Sequence, residues 1–264
     1  MSGPGGAGPG NKPDTSSRVQ MNNPQLPLGL ALRDSARFNG FFPGPNREAV
    51  DSLQLAAAGQ GESLVFIAGP AGTGKTHLLQ AACHYAAGFG RAVTYLPMQE
   101  LSGMLPDALE GMERMDLVCL DDVQLLAGQA SREHALFDLF NRLREAGGTL
   151  LVAGERRPDL TGFGLPDLAS RLGWGVTYVL RPLSDTDMLA ALSQRAAGRG
   201  LELPEETASF LLKRIPRDPA TVFDLLDRLD TASMIEQRRL TVPFVKTVLA
   251  DMTAATAASR FTSR

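Results

Sequence analysis

The chain has 264 residues and a net charge of −3, from 26 basic and 29 acidic side chains. That length is sufficient for one large or two small domains, and the charge balance gives no general indication of nucleic-acid or membrane binding. No apolar stretch is long enough to span a bilayer, so we expect a cytoplasmic protein without a membrane partner. Cys83 and Cys119 lie in apolar sequence without zinc or disulfide spacing and are interpreted as buried residues of a reducing compartment.

The N-terminal residues are rich in Gly, Pro, Ser and Asn and contain no apolar run. Residues 1–24 are therefore predicted to form a disordered tail and not a signal peptide. The hexapeptide Gln25–Leu30 follows. From its composition alone it is either an ordinary Pro/Leu linker or an extended peptide for binding an apolar groove.

From residue 38 to 181, short apolar segments alternate with helical periodicity. The segments predicted to be strands are 63–68, 92–96, 117–120, 150–153 and 176–180, and helices are expected at 45–58 and 133–144. Such alternation is typical of a parallel sheet with both faces covered by helices. Ligands of these sheets bind at the carboxyl ends of the strands.

A glycine-rich segment joins the first predicted strand to the next helix. It comprises Gly69, Pro70, Ala71, Gly72, Thr73, Gly74, Lys75 and Thr76. This is the P-loop pattern, in which glycines let backbone N–H groups surround phosphates at a helix N-terminus. Lys75 would reach the β- and γ-phosphates, and the Thr76 hydroxyl would hold Mg²⁺. A glycine turn that merely joins strand and helix would not require Lys-Thr at this spacing.

The third predicted strand ends in two carboxylates, Asp121 and Asp122. In a P-loop fold one acid at this place holds the Mg²⁺ shell, which is the role expected of Asp121. A second acid can orient the attacking water, which is the role expected of Asp122. A strand end with two solvated aspartates is the structural alternative.

The sequence becomes entirely helical from about residue 183. Ser184 and Asp187 form a variant of the capping box, and the pair Asp218-Pro219 is favourable for the start of a later helix. We predict a small helical domain over 183–252 and a flexible tail over 253–264.

A P-loop, an acidic strand end and a C-terminal helical domain together resemble the AAA+ ATPases, and within them the bacterial replication initiator DnaA and its relatives. The closer resemblance is carried by residues 38–46, 74–79, 121–124 and 171–175. It implies an α/β AAA+ P-loop core with a five-stranded parallel sheet flanked by helices, and a small C-terminal all-helical lid domain. It also implies bound ADP or ATP with Mg²⁺.

In DnaA a DNA-binding domain follows the lid, whereas this chain ends at the expected lid, so we expect that domain to be absent. The hexapeptide resembles the peptide with which bacterial proteins dock on the β sliding clamp of DNA polymerase III. Its expected clamp contacts are Gln25, Leu26, Leu28 and Leu30. A clamp peptide fused to such a core resembles the Hda group of this family, over about residues 21–252.

The resemblance to the Hda group implies negative control of replication initiation. The implied partners are DnaA and the DNA-loaded clamp, with indirect or weak DNA contact, nucleoid association through the clamp, and a homodimer as one expected assembly. An autonomous AAA+ ATPase, such as a helicase loader or a DnaA-like accessory protein, is the alternative. A transposition helper would normally require a basic surface, which the net charge does not support.

Several residues receive roles from the resemblance. Arg171 would be an arginine finger that acts in trans on a neighbouring subunit's γ-phosphate, with Trp174 packed beside it; a solvated arginine is the alternative. Glu155 falls at the sensor 1 position, where DnaA has Asp. The lid arginine position falls on Ala220, which predicts weak ATP hydrolysis by this chain, although Arg217 lies nearby.

The three histidines are interpreted more simply. His77, His84 and His134 are predicted to be packing or surface residues, because none has ligand partners at metal-binding spacing.

Overall fold

A computed structural model of the protein describes residues 32–101, 104–105, 107–214 and 219–250, with the backbone alone for 219 and 220. The predicted tails and the hexapeptide Gln25–Leu30 lie outside the described residues. Within these residues, no helix combines the length and apolar character that a membrane span needs.

Five strands form one sheet in the order β2-β3-β4-β1-β5, and every neighbouring pair is parallel. They are β1 (Leu64–Ala68), β2 (Val93–Pro97), β3 (Leu117–Asp121), β4 (Thr149–Gly154) and β5 (Val176–Val179). Each strand coincides with one of the predicted apolar segments. Because all strands run in one direction, their carboxyl ends meet at one edge, where β1 lies between β4 and β5.

The helices of the described residues flank the sheet and form the C-terminal region. They are α1 (Arg47–Ala57), α2 (Lys75–Gly88), α3 (Met98–Leu101), α4 (Ala130–Glu145), α5 (Pro166–Leu172), α6 (Asp185–Ala197), α7 (Glu205–Leu212), α8 (Pro219–Glu236) and α9 (242–250).

Alternate residues of the central strand supply the two faces of the sheet, as the pleat of a strand requires. Ile67 packs in one core with Leu53 of α1 and Leu78 of α2. Phe66 packs in the opposite core, with Leu136 of α4 and Leu168 of α5. Burial on both faces explains why the strands are continuous apolar runs, and it confirms the predicted parallel α/β sheet.

Helices α6–α9 enclose a separate core that includes Leu192, Leu226 and Phe244. The capping box at the start of α6 is present. The Asp187 N–H donates to Ser184 Oγ at 3.1 Å, and the Ser184 N–H donates to Asp187 Oδ2 at 3.1 Å. The predicted all-helical C-terminal region, called the lid below, is therefore confirmed.

The chain enters the lid directly beside the strand that leads into the P-loop. The Leu180 N–H donates to the Ala68 carbonyl at 2.7 Å. Asn46, which is buried, donates its side-chain amide to the Arg181 carbonyl at 2.9 Å and accepts the Arg181 N–H at 2.8 Å. The segment before α1 thus anchors the chain at the point where it leaves the sheet for the lid.

Candidate functional site

The P-loop occupies the turn from β1 into α2. Gly72 and Gly74 have left-handed backbone angles, with φ of 78° and 90°. A Cβ on Gly74 would lie 2.5 Å from a ring carbon of Phe41, so no larger residue fits there without displacing the ring. The Thr73 hydroxyl donates to the Pro70 carbonyl at 2.9 Å and fixes the loop from within.

Lys75 lies across this loop. Its Nζ donates to the carbonyls of Gly69 at 2.7 Å and Pro70 at 3.0 Å. Burial lowers the pKa of Lys75, while the carboxylates of Asp122, Asp121 and Glu155 act in the opposite direction. A phosphate would be a stronger partner than these neutral carbonyls, because a hydrogen bond between two charged groups is stronger.

Asp121 lies behind the loop at the end of β3 and is 2% exposed. Its Oδ2 accepts the Thr76 hydroxyl at 2.6 Å and the Tyr95 hydroxyl at 2.8 Å, and its Oδ1 accepts the Asp122 N–H at 3.1 Å. Burial raises the pKa of Asp121, and the two hydroxyl donors partly offset that effect. The Thr76 hydroxyl and the Asp121 carboxylate are hard oxygen donors in contact, a set that fits Mg²⁺.

Asp122 and Glu155 approach the loop from two neighbouring strands. Asp122 has a left-handed φ of 58°, unusual for a residue other than glycine. The Gln124 side chain links the Asp122 carboxylate to the backbone of Glu155. It donates to Asp122 Oδ1 at 3.0 Å and accepts the Glu155 N–H at 3.2 Å. Gln124 was not predicted as a site residue, although it belongs to the segment Asp121-Asp-Val-Gln that carries the resemblance to DnaA.

A cavity of about 400 Å³ opens beside the P-loop, which is within the range of small-molecule sites. Its lining contains the expected residues Ala71, Gly72, Gly74, Lys75, Thr76, Asp122 and Glu155. Gly69, Pro70, Thr73 and Asp121 lie behind this lining, where they shape the loop and hold Lys75 and Thr76. The predicted residues of the P-loop and the acidic strand end therefore lie together at one edge of the sheet.

Further residues line the same cavity. Two of them, Gly40 and Phe41, belong to the segment 38–46, whose resemblance to DnaA implies a position beside the adenine. Those not predicted as site residues are Arg33, Ser35, Ala36, His77, Gln80, Arg195, Phe223 and Asp224. His77 was interpreted as a packing or surface residue. Its ring lies 5.5 Å from that of Phe41, and its Nε2 lies 3.0 Å from the Arg37 carbonyl. The histidine therefore belongs to the wall of the cavity.

Arg171 lies near the end of α5, is half-buried and is not part of that cavity wall. Its guanidinium lies 4.7 Å from the ring centroid of Phe137 and 5.0 Å from that of Trp174. It also donates to Asn141 Oδ1 at 2.7 Å. Trp174, which is 57% exposed, packs beside the arginine as expected. The guanidinium is held in one place close to the surface.

Two sets of expected residues have no described side-chain structure. The hexapeptide with Gln25, Leu26, Leu28 and Leu30 lies outside the described residues. So does Arg217, and for Ala220 the structure describes only the backbone, within α8.

Two family models match the chain. The bacterial DnaA ATPase domain matches residues 32–179, and the lid domain of Hda matches residues 185–249. The first match covers the P-loop and both acids, and the second covers α6–α8 and nearly all of α9.

Solved structures have the same fold. Domain III of DnaA from Thermotoga maritima is 24% identical with a TM-score of 0.71, over 84% of this chain and 98% of that one. AMPPCP-bound DnaA from Aquifex aeolicus is 26% identical with a TM-score of 0.65, and the match covers 75% of this chain and 66% of that longer protein.

A more distant similarity concerns the fold alone. The Holliday junction branch migration motor RuvB of Thermotoga maritima is 21% identical with a TM-score of 0.59, over 81% of this chain and 73% of that one. The sheet order, the lid and the matches to both family models lead to one conclusion: the chain belongs to the family of bacterial DnaA ATPase domains and is an Hda/DnaA-related AAA+ protein.

Proposed function

We propose that the protein is a negative regulator of replication initiation that promotes the hydrolysis of DnaA-bound ATP. The observation that carries this proposal is the position of Arg171. Its guanidinium is held by Asn141 and by two aromatic rings, yet it lies outside the lining of the chain's own cavity. This arrangement suits an arginine that serves another subunit's nucleotide.

The chain's own P-loop would bind ADP or ATP. This proposal is supported by the cavity and by the AMPPCP-bound relative. Backbone N–H groups of Gly72 to Lys75 would hold the phosphates, and Thr76 and Asp121 would hold Mg²⁺. Bound Mg²⁺ would neutralise phosphate charge. Asp122 and Glu155 are the candidates for orienting a water in this site.

At the partner, Arg171 would place its planar fork of N–H donors on the γ-phosphate oxygens of DnaA-bound ATP. The guanidinium stays charged at all physiological pH values and holds these oxygens as negative charge develops. Arginine fingers supplied in trans can be worth roughly 10³–10⁵ in rate. The product would be ADP-bound, inactive DnaA.

Binding of the hexapeptide to the clamp would restrict this activity to the stage after replication has begun. Leu28 and Leu30 suit an apolar groove of the β sliding clamp, and Gln25 supplies amide donors and acceptors. A clamp loaded on DNA exists only after replication has begun, so docking would confine the regulator to the nucleoid at that stage. DNA contact would be indirect.

Single-turnover hydrolysis of DnaA-bound ATP in the presence of loaded clamps tests the finger. We expect Arg171→Ala to abolish the stimulation and Arg171→Lys to restore little of it, because lysine lacks the planar fork. Arg156→Ala, at an exposed arginine outside the cavity lining, is the control and should behave as wild type. Full stimulation by Arg171→Ala would rule out the assignment.

Deletion of residues 25–30 tests clamp docking separately. We expect clamp binding, measured by surface plasmon resonance, to be lost while nucleotide binding is retained. Replacing Leu28 and Leu30 with Ala should reproduce the deletion. Unchanged clamp affinity in the deletion variant would exclude this segment as the docking peptide.

An autonomous AAA+ ATPase, such as a helicase loader, is favoured by a different observation: the P-loop, Lys75, Asp122 and Glu155 all border one cavity. Steady-state ATP turnover by the purified protein separates the two functions. Rapid turnover that Lys75→Ala abolishes and Arg171→Ala leaves intact would favour the autonomous enzyme.

A further inference from the structure

A row of three aromatic rings reaches the surface at the C-terminal end of α2. Phe38 and Tyr85 contact edge to face with ring centroids 5.6 Å apart, and Tyr85 and Phe89 do so at 5.2 Å. Phe38 is buried, whereas Tyr85 is 39% exposed and Phe89 is 59% exposed. A Cβ added at Gly88 or Gly90 would meet no described atom within 4 Å. Tyr85 and Phe89, called the outer rings below, therefore border space that another segment can occupy.

The first described residues lie along the same helix and are directed towards the outer rings. The Arg33 N–H donates to Gln80 Oε1 at 3.2 Å, and the Arg33 carbonyl lies 3.1 Å from His84 Nε2. The Arg37 carbonyl lies 3.0 Å from His77 Nε2. The chain thus passes from later to earlier residues of α2 as its own numbering rises. Followed backwards from Arg33, it leads to the end of α2 that carries the outer rings.

The hexapeptide Gln25–Leu30 is within reach of that end. Leu30 precedes Arg33 by three residues, which span about 10 Å when extended, and the helix rises about 7.5 Å from His84 to Phe89. In an extended peptide Leu28 and Leu30 lie on the same side, about 7 Å apart. That spacing is close to the 5.2 Å between the centroids of the outer rings. The hexapeptide contains no charged residue, so it suits an aromatic surface.

We propose that the hexapeptide Gln25–Leu30 docks on the outer rings of its own chain in the absence of a clamp, and that the clamp must displace it. This inference rests on the proposed clamp docking of the same hexapeptide. Leu28 and Leu30 cannot fill a groove of the clamp and cover Tyr85 and Phe89 at the same time. The two contacts therefore exclude each other, and the intrachain contact weakens clamp binding.

The size of the surface favours a segment of the same chain over a second copy. Two aromatic side chains bury at most about 500 Å², whereas a standard interface between proteins buries about 800 Å² on each partner. A tethered peptide needs less surface, because a short tether gives an effective concentration in the millimolar range.

A disulfide trap tests which segment occupies the surface. Leu30→Cys is combined with Phe89→Cys in the full chain, which is treated with oxidised glutathione and analysed on a non-reducing gel. We expect an intramolecular disulfide, seen as a monomer of altered mobility that dithiothreitol restores. The native Cys83 and Cys119 are buried and should not react.

Leu160→Cys replaces Phe89→Cys in the matched control. Leu160 is also 59% exposed, but its short helix packs beside α5, on the face of the sheet opposite α2. Little intramolecular disulfide should form in this control. An equal yield would overturn the proposal, and so would a disulfide-linked dimer of the Phe89→Cys variant, which would assign the surface to a second copy.

Clamp affinity, measured by surface plasmon resonance, tests the competition. We expect Phe89→Ala to bind the clamp about three- to tenfold more tightly than wild type, because a larger fraction of the hexapeptide is free. Phe89→Tyr keeps the ring and should behave as wild type, as should Leu160→Ala. The disulfide-trapped protein should bind the clamp only after reduction.

Two results in this assay separate the possible failures. Equal clamp affinity of Phe89→Ala and wild type would exclude the competition while leaving the proposed clamp docking intact. If no variant bound the clamp although the intramolecular disulfide formed, the clamp docking itself would be wrong, and the competition would be excluded with it.

Discussion

The Asp121 carboxylate accepts hydrogen bonds from two hydroxyl groups and one backbone N–H, although it is almost completely buried. Burial is the largest influence on its pKa and raises it, and the donors offset only part of that influence. The ionised carboxylate is thus kept in the folded protein at a cost in free energy. A group that binds a cation gains from such a position, because the cation relieves that cost.

We therefore predict that Asp121→Asn raises the melting temperature of the nucleotide-free protein at pH 7, by about 2–4 °C if the gain is about 1 kcal/mol. A carboxyl with a raised folded-state pKa contributes its stability below its ordinary pKa of 3.8 and loses it as pH rises through the folded value. The difference in melting temperature between Asp121→Asn and wild type should therefore vanish below pH 3.8. Thermal unfolding at pH 7 and below pH 3.8 measures this difference.

Asp159→Asn is the control, because that side chain is 63% exposed. It should leave the melting temperature unchanged at pH 7. A lower melting temperature for Asp121→Asn at pH 7 would contradict the prediction and show that the hydrogen bonds outweigh burial.

Arg171 is held at its guanidinium by Asn141. We predict that Asn141→Ala lowers the maximal rate of DnaA-bound ATP hydrolysis about ten- to hundredfold, since small misplacements of a reacting group are costly. Asn141→Asp keeps the acceptor and should restore most of the rate. Single-turnover assays at saturating regulator measure the rate, and titration of the regulator measures its apparent affinity for DnaA.

Glu145→Ala serves as the control for Asn141, because Glu145 is exposed on the same helix. A wild-type rate in Asn141→Ala would mean that the aromatic rings alone fix the arginine. A change in apparent affinity at a normal maximal rate would assign Asn141 to docking.

At the scale of elements, α4 holds both ends of α5. Glu133, which is 1% exposed, accepts the N–H groups of Gly128 at 2.7 Å, Gly164 at 3.0 Å and Leu165 at 2.7 Å. Asn141, further along α4, contacts Arg171 near the other end of α5. The short helix α5, which carries Arg171, is therefore held in place mainly by hydrogen bonds from α4 side chains.

We predict that Glu133→Ala destabilises the protein by about 3 kcal/mol or more, because three backbone N–H groups lose their acceptor in a buried place. Denaturant unfolding measures the loss. Glu145→Ala should stay within about 0.5 kcal/mol of wild type, and Glu133→Gln should fall between the two. Equal stability of Glu133→Ala and wild type would show that water replaces the carboxylate.

The elements themselves were predictable, because their signals are local. Apolar runs gave the strands, and the Ser184–Asp187 pair gave the start of α6. Other contacts depend on the tertiary structure. Arg91, for example, donates to the carbonyls of Ala56 at 2.9 Å and Asp116 at 2.7 Å. The presence of an arginine in the sequence does not indicate which backbone carbonyls will accept its hydrogen bonds.

For the molecule as a whole, the site residues that follow the strands of the sheet were predictable from the sequence, whereas those that the lid contributes were not. The P-loop and the acids follow strands whose carboxyl ends meet at one edge, so their proximity follows from the fold class. Arg195 and Phe223 belong to the lid and line the same cavity. No periodicity or spacing in the sequence indicates which lid residues face the P-loop.

A cavity with walls from both the sheet and the lid predicts that nucleotide stabilises both. We expect ADP at 100 times its dissociation constant to stabilise the fold by about 2.7 kcal/mol. Lys75→Ala should lose most of this effect, while Lys213→Ala, at an exposed lysine of the lid, should keep it. Hydrogen exchange should slow in α2 and α8 together. Protection confined to α2 would show that the lid does not take part.

The two hydrogen bonds between the Asn46 side chain and the Arg181 backbone limit which residues can replace Asn46. The position requires a short side chain that both donates to a carbonyl and accepts from an N–H of the same residue. Aspartate lacks the donor, leucine lacks both groups, and glutamine is one methylene too long. Among these side chains only asparagine makes both bonds, so the attachment of the segment before α1 to the chain that enters the lid depends on this one amide.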